Sequence, residues 1–243
     1  MLVNSTDFQN AVGRYLVLCS KEDIIITKNG KSVAKLVAYT EPLHFFISEA
    51  EANYNAKRRI NYEEFQSFVD ASDQRYELID GVVYLLASPT FKHQVLVREF
   101  ASRIQEQLSN SVYEVVTAPF DIRLYGHAAK FEEDPNVVQP DLAVICDVEN
   151  VQADGKYEGI PSLVVEVLSP ATRSKDLVTK LNLYMRSGIR EYWVVDPESN
   201  QVWQYSFSQE RELDHVSLYA ESGQLISSHF PCLKISLSEI FRQ

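Results

Sequence analysis

Cysteine is scarce in this chain: Cys19, Cys146 and Cys232 are the three in 243 residues, far apart and odd in number. Their spacing matches no zinc site and suits a reducing cytoplasm, with packing as the expected role. No apolar run reaches the ~18 residues of a membrane span, so no membrane partner is expected. The N-terminus has no basic stretch leading into an apolar one, which predicts no secretory signal and a cytoplasmic location. Internal repeats and low-complexity segments are lacking as well. Basic charge is also in deficit, with 23 Lys+Arg against 34 Asp+Glu and a net charge of −11. By itself that balance argues against a simple nucleic-acid binder.

The charge is unevenly spread. Residues 1–59 carry 8 Lys+Arg against 6 Asp+Glu, a balance of +2, while residues 60–243 carry 15 against 28, a balance of −13. The acidic part therefore has to meet any DNA through a local groove and metal ions, since its overall field repels a polyanion. With 45% hydrophobic residues the chain is long enough for one sizeable domain and a smaller one.

Two apolar runs each carry one carboxylate: Gln139-Pro140-Asp141-Leu142-Ala143-Val144-Ile145, and Ser162-Leu163-Val164-Val165-Glu166-Val167-Leu168-Ser169-Pro170. Both read as buried strands, being short, rich in β-branched residues and, in the second case, closed by Pro170. A carboxylate buried among Val, Leu and Ile recovers its lost hydration only through a partner, usually a metal ion or a lysine. After Pro170, Leu177, Leu181, Tyr184 and Met185 predict a helix over 172–187 that stops at Gly188 and places Lys180 beside its buried stripe. Two carboxylates on adjacent strands plus a lysine are what metal-assisted phosphodiester hydrolysis needs. A structural ion pair without chemistry stays open at this point.

The stretches Tyr76-Glu77-Leu78-Ile79-Asp80-Gly81, Ser88-Pro89 with His93-Gln94, Pro140-Asp141, Val165 to Pro170, Asp176 with Lys180 and Tyr184, and Glu191-Tyr192-Trp193-Val194-Val195-Asp196-Pro197 resemble, in order across 60–207, the Uma-two family of the PD-(D/E)xK nuclease superfamily. The resemblance implies an α/β (α+β) restriction-endonuclease-like mixed sheet flanked by helices. It further implies a Mg²⁺ or Mn²⁺ site built from Asp141 and Glu166, with Glu77 nearby as a further site carboxylate and DNA as the substrate. The superfamily lysine lies two residues after the glutamate, where this chain has Leu168. The resemblance moves that role to Lys180.

Residues 1–40 read as a small separate unit. Phe8, Val12, Tyr15, Leu16 and Cys19 recur at helical spacing with Ser5 or Thr6 as N-cap, and Asn29-Gly30 between apolar runs predicts a hairpin. This strand, helix, hairpin order, with Val3 to Phe8, Gly13 to Leu16 and Ile25 to Lys31, is similar to the Phd/YefM antitoxin fold. That similarity implies a homodimer, a DNA-docking face and a toxin–antitoxin-type partner. Arg14, Lys28 and Lys31 are then the candidates for phosphate contact, the alternative being solvated surface lysines. A unit this small buries little core alone, which also favours dimerisation. Residues 41–59 form the expected linker before the nuclease-like domain at 60–243.

That domain is expected to open with a capping box, Asn61 to Glu64, followed by a hairpin around Asp80-Gly81. A long helix from Thr90 carries Leu96, Val97, Phe100, Ile104 and Leu108 as its buried stripe, with His93 one turn ahead as a candidate DNA contact or a capping residue. Gly126 to Asn136 reads as a polar loop with a solvated acidic run at Glu132-Glu133-Asp134, and Trp193 and Trp203 read as core. The expected function is a metal-dependent DNA endonuclease with an antitoxin-like front unit. The alternatives are a non-catalytic DNA-binding regulator and a toxin–antitoxin-like fusion.

Overall fold

The computed structural model describes residues 1–10, 15, 18, 24–28, 30–36, 59–126 and 133–242. The chain divides into two compact units, Met1–Phe45 and Phe46–Gln243. Arg14, Cys19 and residues 41–58 of the expected linker lie outside the described residues.

In the smaller unit, β1 (Leu2–Asn4), α1 (Ser5–Asn10), β2 (Ile24–Lys28) and β3 (Lys31–Leu36) follow the strand, helix, hairpin order. β1 pairs parallel and β3 antiparallel with β2. Val3 and Ile24 are buried, with Phe8, Tyr15, Leu18 and Leu36 packed on them. The helix cap is Asn4, whose Oδ1 accepts from Thr6 N at 2.9 Å. Ser5 and Thr6, expected as caps, already lie inside the helix, because a cap has to stand before the first helical residue. Lys28 and Lys31 face each other across the hairpin end and are exposed.

The larger unit opens with α2 (Tyr62–Asp70), where Asn61 and Glu64 form the expected reciprocal capping box. β4 (Tyr76–Ile79) and β5 (Val82–Leu85) close on Asp80-Gly81, both at positive φ (53° and 77°), as a tight hairpin turn requires. α3 (Phe91–Leu108) starts at Thr90, whose side chain accepts from His93 N. Then come β6 (Glu114–Thr117), β7 (Ile122–Leu124), β8 (Asn136–Val138), β9 (Leu142–Ile145) and β10 (Leu163–Val167). A wide helical segment, Lys175–Lys180, runs into α4 (Leu181–Ser187), which stops at Gly188 (φ 94°). The rest is β11 (Glu191–Asp196), β12 (Gln201–Phe207), β13 (Leu213–Ala220), β14 (Gln224–Ile226), β15 (Lys234–Ser236) and α5 (Leu237–Ile240).

Six strands form the main sheet in the order β13-β12-β11-β10-β9-β6, antiparallel except for the parallel pair β10 and β11. That pair needs a crossover, and the Lys175 to Ser187 helix is the crossover. A second sheet has the order β5-β4-β8-β7, and β14 pairs with β15. Alternation along β10 sorts its side chains. Leu163, Val165 and Val167 pack with Leu96, Phe100 and Ile104 of α3 and with Trp193, while Val164 and Leu168 join Leu183 and Tyr184 of α4 and Ile79, Ile122 and Val138 of the second sheet. Glu166 shares the face of Val164 and Leu168. It therefore points into the layer between the main sheet, α4 and the second sheet.

Three local expectations change. Residues 136–138, beginning at the last residue of the expected polar loop, form the fully buried strand β8, paired with β7 and β4. Gln139 to Asp141 then leave one sheet for the other, because Pro140 has no N–H to give a ladder. Asp134, expected in a solvated run, is half-buried and accepts from Tyr62 N at 2.9 Å. Cys146 and Cys232 are free and exposed, so neither serves packing. Trp193 is fully buried, edge-on to Phe100 at 6.3 Å between ring centres, whereas Trp203 is half-buried. Among the described residues no helix is long and apolar enough to cross a membrane.

Phe100 is fully buried at the joint of α3 and the main sheet. Phe100→Ala is expected to lower the unfolding free energy by about 3–5 kcal/mol, read as a shifted midpoint in urea unfolding with an unchanged slope.

Candidate active site

The register of β9 and β10 sets the first pair. Leu142 lies opposite Val165 in this antiparallel ladder, so the next position places Asp141 beside Glu166. Asp141 Oδ2 accepts from Val167 N at 2.8 Å, and Glu166 Oε2 from Asp141 N at 3.4 Å. Each carboxylate is thus held by the backbone that carries the other. Leu168, two residues after Glu166, points to the same face and is buried among apolar neighbours. The cation on that face comes instead from the crossover helix: Lys180 Nζ donates to Glu166 Oε1 at 2.7 Å.

Lys180 also reaches the second sheet. Its Nζ is 2.7 Å from Glu77 Oε1, in the middle of β4, and 3.9 Å from Asp176 Oδ1. Glu77 is fully buried, and its Oε1 also accepts from Gln139 N at 3.0 Å. Its other oxygen accepts from Lys175 Nζ at 2.5 Å. Tyr184, one turn beyond Lys180, donates to Glu166 Oε1 at 2.9 Å. Four residues singled out in the sequence, Glu77, Asp141, Glu166 and Lys180, therefore meet in one place.

His93, in the first turn of α3, belongs here too. Its Nε2 is 3.1 Å from Asp141 Oδ2, and its Nδ1 is buried without a hydrogen-bond partner. The hairpin lysines Lys28 and Lys31 belong to the smaller unit, and Arg14 is outside the described residues.

Lys175 and Asp176 were not assigned roles from the sequence, and the reason is geometric. Residues 172–187 were expected to form an α-helix, in which residues five apart point about 140° away from each other at ~3.6 residues per turn. Residues 175–180 are instead wound as a π-helix, which bonds i to i+5 and stacks residues five apart. Lys175 and Lys180 consequently reach the same carboxylate.

The buried charges are out of balance, with three carboxylates, Glu77, Glu166 and Asp176, facing two ammonium groups. Burial pushes the Glu166 carboxyl up to about 8; Lys180 opposes this, while Asp141, Asp176 and Glu77 add to it. Burial acts on Glu77 in the same direction, but two lysines outweigh it and hold that carboxyl down at about 2. Burial also raises Asp176. For Lys180, burial favours the neutral amine, yet Glu166, Glu77 and Asp176 together keep the ammonium well above the ordinary lysine range. His93 is raised as well, because its hydrogen bond to Asp141 overrides burial.

The cluster lies at a cleft of about 1120 Å³ lined by Asp141, Glu166, His93, Lys175 and Lys180, with Arg173 among its other lining residues. The donor set suits Mg²⁺ or Mn²⁺: the side-chain ligands are oxygens, and negative charge is left over after the lysines are counted. Among the described residues no three His, Cys, Asp or Glu side chains are already grouped to hold an ion. Asp141 and Glu166 are the side chains that could contribute oxygens to such a site, and Mg²⁺ sites commonly complete their shell with water and substrate oxygens.

The raised Glu166 has a consequence for folding without metal. Between an unfolded carboxyl at about 4.3 and a folded one near 8, the folded state binds more protons, so this group's contribution to stability falls as pH rises through that window and levels off above it. Glu77 does the opposite, adding stability above the ordinary carboxylate range that is lost as pH falls toward 2. In EDTA, the melting temperature of Glu166→Gln minus that of the wild type is therefore expected to grow from about pH 5 to about pH 8. A flat difference curve would place the proton elsewhere.

Residues 62–238 match the family described as "Uma2: Putative restriction endonuclease". A protein of Synechocystis sp., "Uncharacterized protein slr1290", is 24% identical over 145 residues, covering 59% of this chain and 72% of its own length. Among solved structures, a crystal structure described as a putative nuclease belonging to DUF820, from Anabaena variabilis, aligns with a TM-score of 0.60 at 17% identity, over 75% of this chain and 98% of the other. That likeness concerns the fold, a mixed α+β arrangement of the restriction-endonuclease type. With the family match spanning well over half of its residues, the chain belongs to the Uma2 restriction endonuclease-like family.

Proposed function

We propose that the larger unit is a divalent-metal-dependent DNA endonuclease that hydrolyses phosphodiester bonds. The observation that carries this reading is the meeting of Asp141, Glu166 and Glu77 around Lys180 at a cleft, with the lysine supplied by a helix on the face where Leu168 replaces the usual one. A purely structural ion pair has no need of a cleft or of a surplus carboxylate.

Asp141 and Glu166 would hold Mg²⁺ or Mn²⁺. When bound, the ion neutralises charge on the scissile phosphate and acidifies the attacking water. Lys180 fixes Glu166 at 2.7 Å and thereby the position of the nucleophile beside it. Glu77 holds Lys180 from the opposite sheet, and Tyr184 donates to the same Glu166 oxygen as Lys180, limiting its swing. His93 holds Asp141 through Oδ2. In-line attack of water then forms a new P–O bond as the P–O bond to the departing oxygen breaks, the water giving a proton to solvent and the departing oxygen taking one.

The smaller unit is proposed as an antitoxin-like dimerisation or DNA-docking module, with Lys28 and Lys31, exposed together at the hairpin end, and Arg14 as its phosphate contacts. Dimerisation and any toxin–antitoxin-type partner belong to the same proposal, as does the division into 1–40, a linker at 41–59 and a nuclease domain at 60–243.

Purified full-length protein incubated with supercoiled and single-stranded DNA is expected to cut in Mg²⁺ or Mn²⁺ and not in EDTA. Glu166→Gln and Lys180→Ala should each reduce cutting by at least ~10²-fold, the scale of losing one preorganised electrostatic group. A wild type that never cuts but shifts one DNA sequence on a gel without metal, and loses that shift on deletion of residues 1–40, would establish the regulator reading in its place. Cutting or toxicity that rises on the same deletion would identify the front unit as a restraint on the nuclease.

A further inference from the structure

The site holds two lysines, and they are not equivalent. Lys180 is 2% exposed and has carboxylate oxygens at 2.7, 2.7 and 3.9 Å, from Glu77, Glu166 and Asp176. Two of these, Glu77 and Glu166, are at hydrogen-bond distance and take two of the three N–H donors of the ammonium, while Asp176 adds charge at longer range. Lys175 is 11% exposed, lines the cleft and touches one carboxylate oxygen, Glu77 Oε2. Its other neighbour is the face of Tyr84, 5.4 Å from the ring centre, which attracts the charge without accepting a conventional hydrogen bond. Two of its three donors remain for a ligand in the cleft.

The winding of 175–180 makes this division possible. In an α-helix, residues five apart point about 140° from each other, so Lys175 and Lys180 would not share one face. The π register stacks the two, with Lys180 inside and Lys175 on the cleft side, and Glu77 binds one with each oxygen. Glu77 in this way steers Lys175 while leaving it a point cation with spare donors.

We propose that Lys175 is the lysine that touches the nucleic-acid backbone, donating to a phosphate oxygen of the bound strand, while Lys180 stays with the carboxylates. This rests on the nuclease reading and divides between two residues the role that the migrated Lys180 was expected to fill alone. The ligand chemistry is a phosphodiester anion. The same cleft is lined by Arg75, Lys92 and Arg173 among carboxylates, so Lys175 is one of several cations there in a unit whose overall charge is negative.

The test is DNA binding, separate from cutting. Fluorescence anisotropy of a short labelled duplex, with Ca²⁺ in place of Mg²⁺, is measured against salt for full-length wild type, Lys175→Met, Lys175→Arg and Lys180→Met. Removing one phosphate contact from duplex DNA reduces the slope of log affinity against log salt by about 0.9. The expected result is that loss in Lys175→Met, a wild-type slope in Lys175→Arg, and an unchanged slope in Lys180→Met. Should Lys175→Met fail to fold because Glu77 is left under-paired, the Glu77→Gln/Lys175→Met double variant removes both partners and is read against Glu77→Gln alone. A wild-type slope in the variants lacking Lys175 overturns the proposal and leaves the nuclease reading intact. A wild type that binds no duplex at any salt overturns the nuclease reading and the proposal with it.

Discussion

One ammonium group joins two sheets. Lys180 is 2.7 Å from Glu166 of the main sheet and 2.7 Å from Glu77 of the second, and all three are buried. Removing three charges from water is costly, and their mutual attraction repays it only when geometry and additional hydrogen bonds are good. Here the additional bonds are present, from Tyr184 to Glu166, from Gln139 N and Lys175 to Glu77. Breaking such a pair from one side costs about 3–5 kcal/mol because the other charge is stranded. The apolar layer around it, with Ile79, Val138, Leu168 and Leu183, tolerates the charges because they close on one another. The crossover helix takes part in the same closure: in its π register Lys175 and Lys180 both reach Glu77.

Much of this was legible in the sequence. Apolar runs with β-branched residues located β9, β10 and β11, the Asn61 capping box and the Asp80-Gly81 turn were found where local rules put them, and the stripe on α3 is buried. These elements obey rules that act within a few residues. The order of motifs also placed Glu77, Asp141, Glu166 and Lys180 together, although 103 positions separate the first and last in the chain.

What remained hidden depends on tertiary context. Strand β8 is three residues long and follows a polar stretch, so neither length nor period marks it; burial between β4 and β7 creates it. The place of Lys175 was invisible because every helical rule assumes about 3.6 residues per turn, whereas the wider winding of 175–180 sets it against the same buried carboxylate as Lys180. His93 read as a capping residue or a candidate DNA contact. It turned out that Thr90 caps the helix and the imidazole of His93 is thereby free to hold Asp141.

The acidic balance of the larger unit then has a physical place in the argument. A protein at −13 over residues 60–243 cannot gather DNA by a long-range field. Charge has to be discriminated over a few ångströms, and the site is built at that range: lysines held by carboxylates inside, and Arg173, itself paired with Asp196 at 3.0 Å, farther along the cleft. Paired cations keep their geometry but lend little net potential to solvent, so a passing polyanion gains nothing until it enters the cleft. On the proposed nuclease reading, a divalent ion against Asp141 and Glu166 would change the local sign there. On that same reading, low affinity for bulk nucleic acid and tight demands on the geometry of the bound strand go together, and the cleft-side donors of Lys175 count for more than their number.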